Sequence, residues 1–386
     1  MSLQRGIMGG LPRAGAAYRR ASGDADGYGG LLTIDLGAIA RNWRRLSARV
    51  APARASAVVK ADAYGLGAHE VAPTLYRAGC RAFFVAHVEE GIKLRAVLPR
   101  DAEIIILHGA PARSEPDCDA YQLTPVLNCM EQLTAWIRFT SANGLKRRCV
   151  VQFDTGMTRF GFDLSEASSV AAALGMAGSR PSLVMSHLAC ADDPSAASNA
   201  VQRERLLDLR KLFPDTELSL AASSGIFLGP DYHLDLVRPG AALYGVNPAG
   251  TDPNPMESTI RLWGRIMQVR EVPAGTEVGY GLAGRTKAAT RLATVAVGYA
   301  DGFFRSASGR ASAWLGSKRL PLVGRVSMDS IVVDLAALPG PPLVPGDLLD
   351  LLGDAYGVDD LAADAGTIGY EILTGLSSRY WREYVE

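Results

Sequence analysis

Lys60 closes a short β-branched run, Val58-Val59, and is followed by Ala61-Asp62-Ala63-Tyr64-Gly65, a glycine-punctuated turn carrying one tyrosine. An ammonium ends a buried strand poorly unless it meets a partner or reacts there. A lysine at the mouth of an apolar scaffold can lose its proton and attack a carbonyl carbon. A solvated lysine opening a loop is the commoner case, because polar residues collect in loops. Other residues able to do chemistry decide between the two. Arg159 stands in Asp154-Thr155-Gly156-Met157-Thr158-Arg159, His187 follows Ser186, Ser223-Ser224 precede Gly225, and Arg238 precedes Pro239-Gly240-Ala241. Two guanidinium groups, an imidazole and small hydroxyls beside glycine suit an anionic ligand.

These groups must be positioned by repeating elements. Short apolar runs at 55–60, 82–86, 103–107, 123–127, 148–154, 182–188, 217–222 and 234–238 alternate with amphipathic stretches such as 68–78 and 200–212. The alternation predicts a parallel sheet of βα units. Eight units over residues 31–250 predict a (β/α)8 TIM-type barrel, with the helix after Arg238 the weakest element. An open doubly wound sheet is the other architecture, but no GxGxxG follows the first strand. After residue 250 the texture changes to β-prone runs at 260–269, 276–278, 291–299, 313–315, 319–322, 330–335 and 347–352, separated by Gly and Pro. Residues 251–386 therefore read as a C-terminal mainly-β domain, with helix only at 357–366 and in the last residues. Residues 1–30, rich in Gly, Ala and Arg, read as a disordered lead-in without the apolar core of a secretory signal.

Composition narrows the partners. The 386 residues are 48% hydrophobic and 21% charged, and 40 basic residues balance 40 acidic ones. Zero net charge argues against a nucleic-acid or anionic-membrane surface. No apolar run is long enough to span a bilayer. The five cysteines are scattered without CxxC spacing, which fits a reducing cytoplasm and no zinc site. His69, His87, His108 and His233 lack ligand-like spacing, so packing roles are expected and no metal.

In such a barrel, catalytic groups sit where strands end. The first strand end supplies Lys60 and Tyr64, the fifth Arg159, the sixth His187, the seventh Ser223-Ser224-Gly225 and the eighth Arg238 with Gly240-Ala241. The seventh and eighth loops are the usual phosphate site of this architecture. Phosphate at one end and a nucleophilic lysine at the other describe pyridoxal 5′-phosphate held as a Schiff base.

In these motifs the chain resembles the barrel-type alanine racemases, the fold III pyridoxal-phosphate enzymes. The matching segments are 59–65 (VKADAYG), 154–161 (DTGMTRFG), 186–189 (SHLA), 237–245 (VRPGAALYG), 278–281 (VGYG), 297–302 (VGYADG), 324–329 (GRVSMD) and Tyr370-Glu371, in order over about residues 31–386. The resemblance implies an isomerase interconverting L- and D-alanine, with Lys60 as cofactor anchor and one base and Tyr280 as the opposing acid–base. An ordinary tyrosine pKa is about 10, so that role requires positive charge or hydrogen bonds at the phenol, for which His187 and Arg238 are the candidates. It implies Arg238 at the pyridine nitrogen, where a guanidinium can only donate. It implies Tyr64, Ser223, Ser224, Gly240, Ala241 and Tyr370 around the phosphate, His187 at the cofactor, and Arg159, Met328, Tyr299 and Asp329 on the substrate side. It further implies a cytoplasmic homodimer whose Tyr280 and Met328 complete the partner's site, supplying D-alanine for peptidoglycan.

Three positions depart from the pattern. Gln152 stands where a carbamylated lysine often braces the arginine matched by Arg159, and its amide could accept from Arg159 without adding charge. Ser223 replaces a common asparagine and Ser327 a common cysteine. The alternatives are a racemase of broader specificity, serine included, a decarboxylase of the same architecture, and a non-enzymatic pyridoxal-binding protein. Arg238 opposes the decarboxylase, the β-module with Tyr280 opposes the binding protein, and the missing signal peptide opposes an exported broad-specificity racemase.

Overall fold

Runs such as Phe83-Phe84 and Ile104-Ile105-Ile106 are apolar on both faces, as parallel strands buried between a barrel core and its helices must be. The computed structural model describes residues 23–338 and 342–386. Seven strands lie parallel in chain order: Ala57–Val58, Ala82–Val85, Glu103–Ile106, Leu123–Leu127, Val150–Gln152, Leu183–Met185 and Glu217–Ser219. The eighth, Leu236–Val237, closes the ring. On one side the Arg238 N–H donates to Ala221 O at 2.9 Å, and on the other Ser56 N–H reaches Val237 O at 3.0 Å and Val58 N–H reaches Pro239 O at 2.9 Å. The barrel expected from periodicity is present. Its outer helices include Ala68–Ala78, Val88–Arg95, Met130–Ala142, Ala167–Met176 and Ala197–Asp208, while the seventh and eighth units carry the 3-10 turns Ser224–Leu228, Pro230–Tyr232 and Ala241–Tyr244.

The second unit is a mainly antiparallel sheet in the order Lys318–Pro321, Ser312–Leu315, Leu348–Leu352, Ile260–Val272, Gly30–Asp35 and Trp381–Val385. Thr290–Val295 joins the long strand Ile260–Val272 and in turn pairs with Ile331–Asp334. Two helices, Val358–Ala365 and Gly369–Gly375, complete it. Each β-prone run named from the sequence contains a strand.

Three expectations need correction. Gly30–Asp35 is not a barrel element: it pairs antiparallel with Ile260–Val272 and parallel with Trp381–Val385, so the barrel unit comprises residues 39–243 and 247–256. The last residues form that edge strand rather than helix. Of residues 1–30, 1–22 lie outside the described residues, but Gly23–Gly27 forms an ordered 3-10 turn. The buried Arg265 guanidinium holds this segment by donating to Ala25 O at 2.9 Å and Tyr28 O at 2.9 Å. Gly, Ala and Arg content gave no sign of that anchor, because the acceptors are backbone carbonyls. Among the described residues no helix is long and apolar enough to cross a membrane.

Candidate active site

The first strand ends in an uncommon backbone. Lys60 opens a turn in which Ala61 (φ 52°, ψ 47°), Asp62 (φ 55°, ψ 51°), Ala63 (φ 53°, ψ 50°) and Tyr64 (φ 57°) are all left-handed. Left-handed helical geometry costs about 1–2 kcal/mol for each residue bearing a Cβ. The turn is therefore held by hydrogen bonds both within it and from outside. Ala61 N–H donates to Glu90 Oε1 at 2.7 Å, Ala68 N–H to Asp62 Oδ1 at 2.7 Å, and Gly65 N–H to Ala61 O at 2.7 Å. This geometry aims Lys60 and buries Tyr64.

Lys60 is surrounded by cations. Burial, followed by the Arg159 guanidinium and more weakly by Arg238, holds its pKa below the usual lysine value, while Glu90 opposes that shift. Such a lysine is readied to act as a nucleophile.

Arg238 lies at the base of the barrel mouth with 3% of its surface exposed, and among the described residues its hydrogen-bond partners are hydroxyl, carbonyl and imidazole groups. Its Nη2 donates to Ser186 O at 2.7 Å and Leu220 O at 3.2 Å, and its Nη1 to Ser219 Oγ at 2.5 Å. Burial lowers its pKa to about 9, so the group stays charged near neutral pH. Both Nη atoms are committed to the protein, whereas none of these bonds uses Nε. The fork is thus fixed with its Nε–H outside these bonds, and it can only donate.

His187 follows from Arg238. Its Nδ1 lies 3.3 Å from Arg238 Nη2, and because the guanidinium has no acceptor, Nδ1 accepts and the proton sits on Nε2. Burial, then Arg238, Arg159 and Lys60, depress its pKa from 6.5 to about 3. His187 therefore offers a neutral ring with one N–H rather than a positive charge. Below about pH 6.5 the unfolded chain protonates this histidine and the folded chain does not, so stability falls as pH drops from 6.5 toward 3. His187→Gln should flatten that slope, measurable as denaturation midpoints between pH 7 and pH 5.

The seventh and eighth strand ends form one pocket wall. Ser223 Oγ accepts from Gly240 N–H at 3.0 Å and Ala242 N–H at 3.1 Å, locking the two loops together. Ser224 and Ala241 each open a 3-10 turn, where the first N–H groups have no partner inside the turn. Gly240 differs from the expected backbone donor, since Ser223 already takes its N–H. Its contribution is steric: a Cβ there would stand 2.3 Å from Tyr64 Oη and 3.0 Å from Tyr64 Cζ. Gly240→Ala should push the phenol away and remove one hydrogen bond to an anion, about 1.5–3 kcal/mol or roughly tenfold to hundredfold in affinity. A titration of the protein with pyridoxal 5′-phosphate reads this directly.

Arg159 sits on a loop that leaves the fifth strand and returns at once. Phe162 N–H donates to Gln152 O and Asp154 N–H to Phe162 O, both at 2.9 Å, which closes the excursion. Asp154 Oδ1 accepts from Gly156 and Met157 N–H, both at 2.8 Å, and Gly161 adopts φ 111° because a Cβ would meet Asp154 N at 2.7 Å. The Gln152 amide does not receive Arg159. It donates to Phe160 O at 3.1 Å and so steadies the loop backbone instead. The Phe160 ring stacks on His108 at 5.0 Å, and His108 meets His87 edge-on at 4.5 Å. The two histidines read as isolated packing residues thus form an aromatic shelf beside the loop. Thr155, Ser186, Gln202 and Glu90 also support the site through hydrogen bonds that the sequence did not single out.

The remaining predicted residues belong to the second unit. Tyr280 follows Gly279 (φ 77°) and precedes Gly281 (φ 67°), on an ordered turn that leaves its ring 70% exposed. Tyr299 N–H donates to Ser327 O and Ala300 N–H to Met328 O, both at 3.0 Å, which sets segment 297–301 against 327–329. Met328 N–H has no partner among the described residues. Asp329 Oδ1 pairs with Arg379 at 2.8 Å, and Arg379 also meets Asp301 at 3.1 Å. Asp329 Oδ1 is thus engaged by Arg379 in a solvent-exposed salt bridge. Tyr370 lies on Gly369–Gly375. The barrel unit brings Lys60, Tyr64, Arg159, His187, Ser223, Ser224, Arg238, Gly240 and Ala241 together by itself; Tyr280, Tyr299, Met328, Asp329 and Tyr370 are on the other unit.

Comparison with known proteins agrees with this geometry. Residues 34–248 match the model of the alanine racemase N-terminal domain and residues 259–384 that of its C-terminal domain. A catabolic alanine racemase of Agrobacterium fabrum is 47% identical over 369 residues, covering 95% of this chain and 94% of the relative. The alanine racemase of Rhodospirillum rubrum is 45% identical over 364 residues, covering 94% and 97%. Among solved structures, the alanine racemase of Bartonella henselae with covalently bound pyridoxal phosphate is 40% identical, with a TM-score of 0.88 over 92% of this chain and 99% of that one. The biosynthetic alanine racemase of Pseudomonas aeruginosa is 36% identical, with a TM-score of 0.85 over 93% and 100%. With both domain models matched in order and relatives spanning nearly the whole chain, this protein belongs to the alanine racemase family.

Proposed function

We propose that this protein interconverts L- and D-alanine with pyridoxal 5′-phosphate as cofactor. The observation that carries the reading is the pairing of a lysine held below its usual pKa with a buried arginine, not a carboxylate, at the depth of the same pocket. The residues fit the cofactor at each end: Lys60 for the aldehyde carbon, Arg238 Nε for the ring nitrogen, and the Ser224 and Ala241 turns with the Tyr64 hydroxyl for the phosphate. When bound, the cofactor withdraws electrons from the substrate Cα and so makes its proton removable.

Lys60 takes or returns the Cα proton on one face, and Tyr280 does so on the other. Arg159 and the Met328 N–H hold the substrate carboxylate, and Tyr299 lines the approach. Because Tyr280 and Met328 are carried by the second unit, we assign them to a second copy in a homodimer, each copy completing the other's site. Arg238 has no acceptor for a ring N–H and can only donate, so it would favour an unprotonated ring nitrogen and limit how far charge leaves Cα. Arg238→Glu is expected to raise pyruvate formation relative to racemisation, read by coupled assay; equal ratios in both proteins would count against this role.

Enantiomers have equal free energies in water, so direction is set by supply and demand. D-alanine for peptidoglycan and consumption of D-alanine as a nutrient draw on one site, in keeping with relatives named both catabolic and biosynthetic. The test is circular-dichroism racemisation of L-alanine and a panel of other L-amino acids. Loss of the L-alanine signal without carbon dioxide release supports the reading. Release of carbon dioxide, or no change with cofactor bound, overturns it, and equal rates on serine favour the broader racemase.

A further inference from the structure

Glu90 lies outside every motif that identifies the family, yet both of its carboxylate oxygens are occupied at the site. Oε1 accepts from Ala61 N–H at 2.7 Å, and Oε2 from Ala86 N–H at 2.7 Å and His87 N–H at 3.1 Å. Ala86 and His87 follow the second strand, and Ala61 is the first left-handed residue after Lys60. A single side chain therefore spans two adjacent strand ends and holds the residue where the unfavourable backbone begins. Every bond is from a backbone N–H to a carboxylate oxygen, the charge-assisted kind that is about twice as strong as a neutral one.

Its charge matters as well as its reach. The groups that face Lys60 are Arg159 from the fifth strand end, Arg238 from the eighth, His187 from the sixth, His108 from the third and Glu90 from the second. Two of these are permanently cationic, and Glu90 is the carboxylate set against them. A neutral residue of the same size would keep part of the bonding and lose this balance.

We propose that Glu90 is the positioning residue of Lys60: one oxygen fixes the left-handed turn that starts at the lysine, and the other ties that turn to the end of the second strand. The inference rests on the reading of Lys60 as the cofactor anchor. It separates two tasks in one side chain, holding the turn and balancing Arg159 and Arg238.

The full-length protein is incubated with graded pyridoxal 5′-phosphate between pH 6 and pH 9 and reduced with borohydride. The Lys60 amine condenses with the aldehyde with loss of water, hydride reduces the resulting C=N bond to a stable secondary amine, and the labelled peptide is quantified by mass. Glu90→Gln removes the charge and one acceptor. The cofactor concentration for half-labelling should rise about tenfold, and the acid limb of labelling should move to lower pH because Lys60 loses its one opposing charge. Glu90→Asp keeps the charge but is one methylene shorter, so the concentration should rise while the acid limb stays at its wild-type pH. A loss of packing alone would not separate the two variants in this way. Wild-type half-labelling and an unmoved limb in Glu90→Gln would overturn the proposal, as would wild-type half-labelling in Glu90→Asp if Glu90→Gln does not fold. Failure of the wild-type protein to label at Lys60 would instead overturn the anchor reading itself.

Discussion

Lys60→Ala is expected to lower alanine racemisation by more than about a thousandfold while leaving the fold intact. General acid–base catalysis by one positioned group contributes about 10²–10⁴ in rate, and the same side chain also anchors the cofactor. Lys60 is half-buried just beyond the strand Ala57–Val58 and is not one of the fully buried apolar residues that form the core. The thermal midpoint should therefore move little. The variant should bind pyridoxal 5′-phosphate without becoming labelled by borohydride. Racemisation near the wild-type rate, or label persisting elsewhere at full occupancy, would remove Lys60 from its assigned role.

Tyr280→Phe is the second large effect and has a directional signature. Removing the phenol hydroxyl should lower racemisation by about 10²–10⁴, yet proton exchange on the face served by Lys60 should persist. In deuterated water one enantiomer of alanine should then exchange its Cα proton without inversion, followed by NMR, while the other exchanges slowly. Equal slowing of exchange from both enantiomers would show that Tyr280 does not act on one face. The same variant tests the shared site. Lys60→Ala and Tyr280→Phe chains mixed to form hybrid dimers should recover about a quarter of wild-type activity, because half the dimers are hybrid and each hybrid regains one intact site. No recovery would place Lys60 and Tyr280 of one chain in the same site.

Different parts of the molecule were legible in the sequence to different degrees. The barrel strands could be read because each is a short apolar run bounded by turn residues, and burial on both faces leaves that mark regardless of tertiary detail. Gly30–Asp35 carries a similar pattern, but whether it pairs inside the barrel or with Ile260–Val272 and Trp381–Val385 depends on long-range register that local composition does not encode. Trp381–Val385 differs from the expected terminal helix for the same reason, since an edge strand needs only one neighbour to exist.

The site shows the same division. Lys60, Arg159, His187 and Arg238 could be placed at one mouth because strand ends in a parallel barrel share a face. Their roles were set by neighbours. His187 is a candidate for charge or a hydrogen bond at the phenol, and burial first, then the guanidinium beside it, holds it neutral. The Gln152 amide could accept from Arg159, and what the loop's return supplies it with is a different partner, Phe160 O, for its N–H. Gly240 was expected to donate its N–H, which Ser223 accepts instead. Glu90 had no motif at all, because its partners are backbone N–H groups on two loops.

What the sequence determined by itself was which residues could react and which end of the barrel they occupy, since both follow from residue type and strand order. What only the tertiary structure decided was the protonation, the hydrogen-bond commitments and the backbone strain around them. Those depend on burial and on distances of a few ångströms between segments far apart in the chain, where a single intervening carbonyl or guanidinium changes which donor or acceptor remains free.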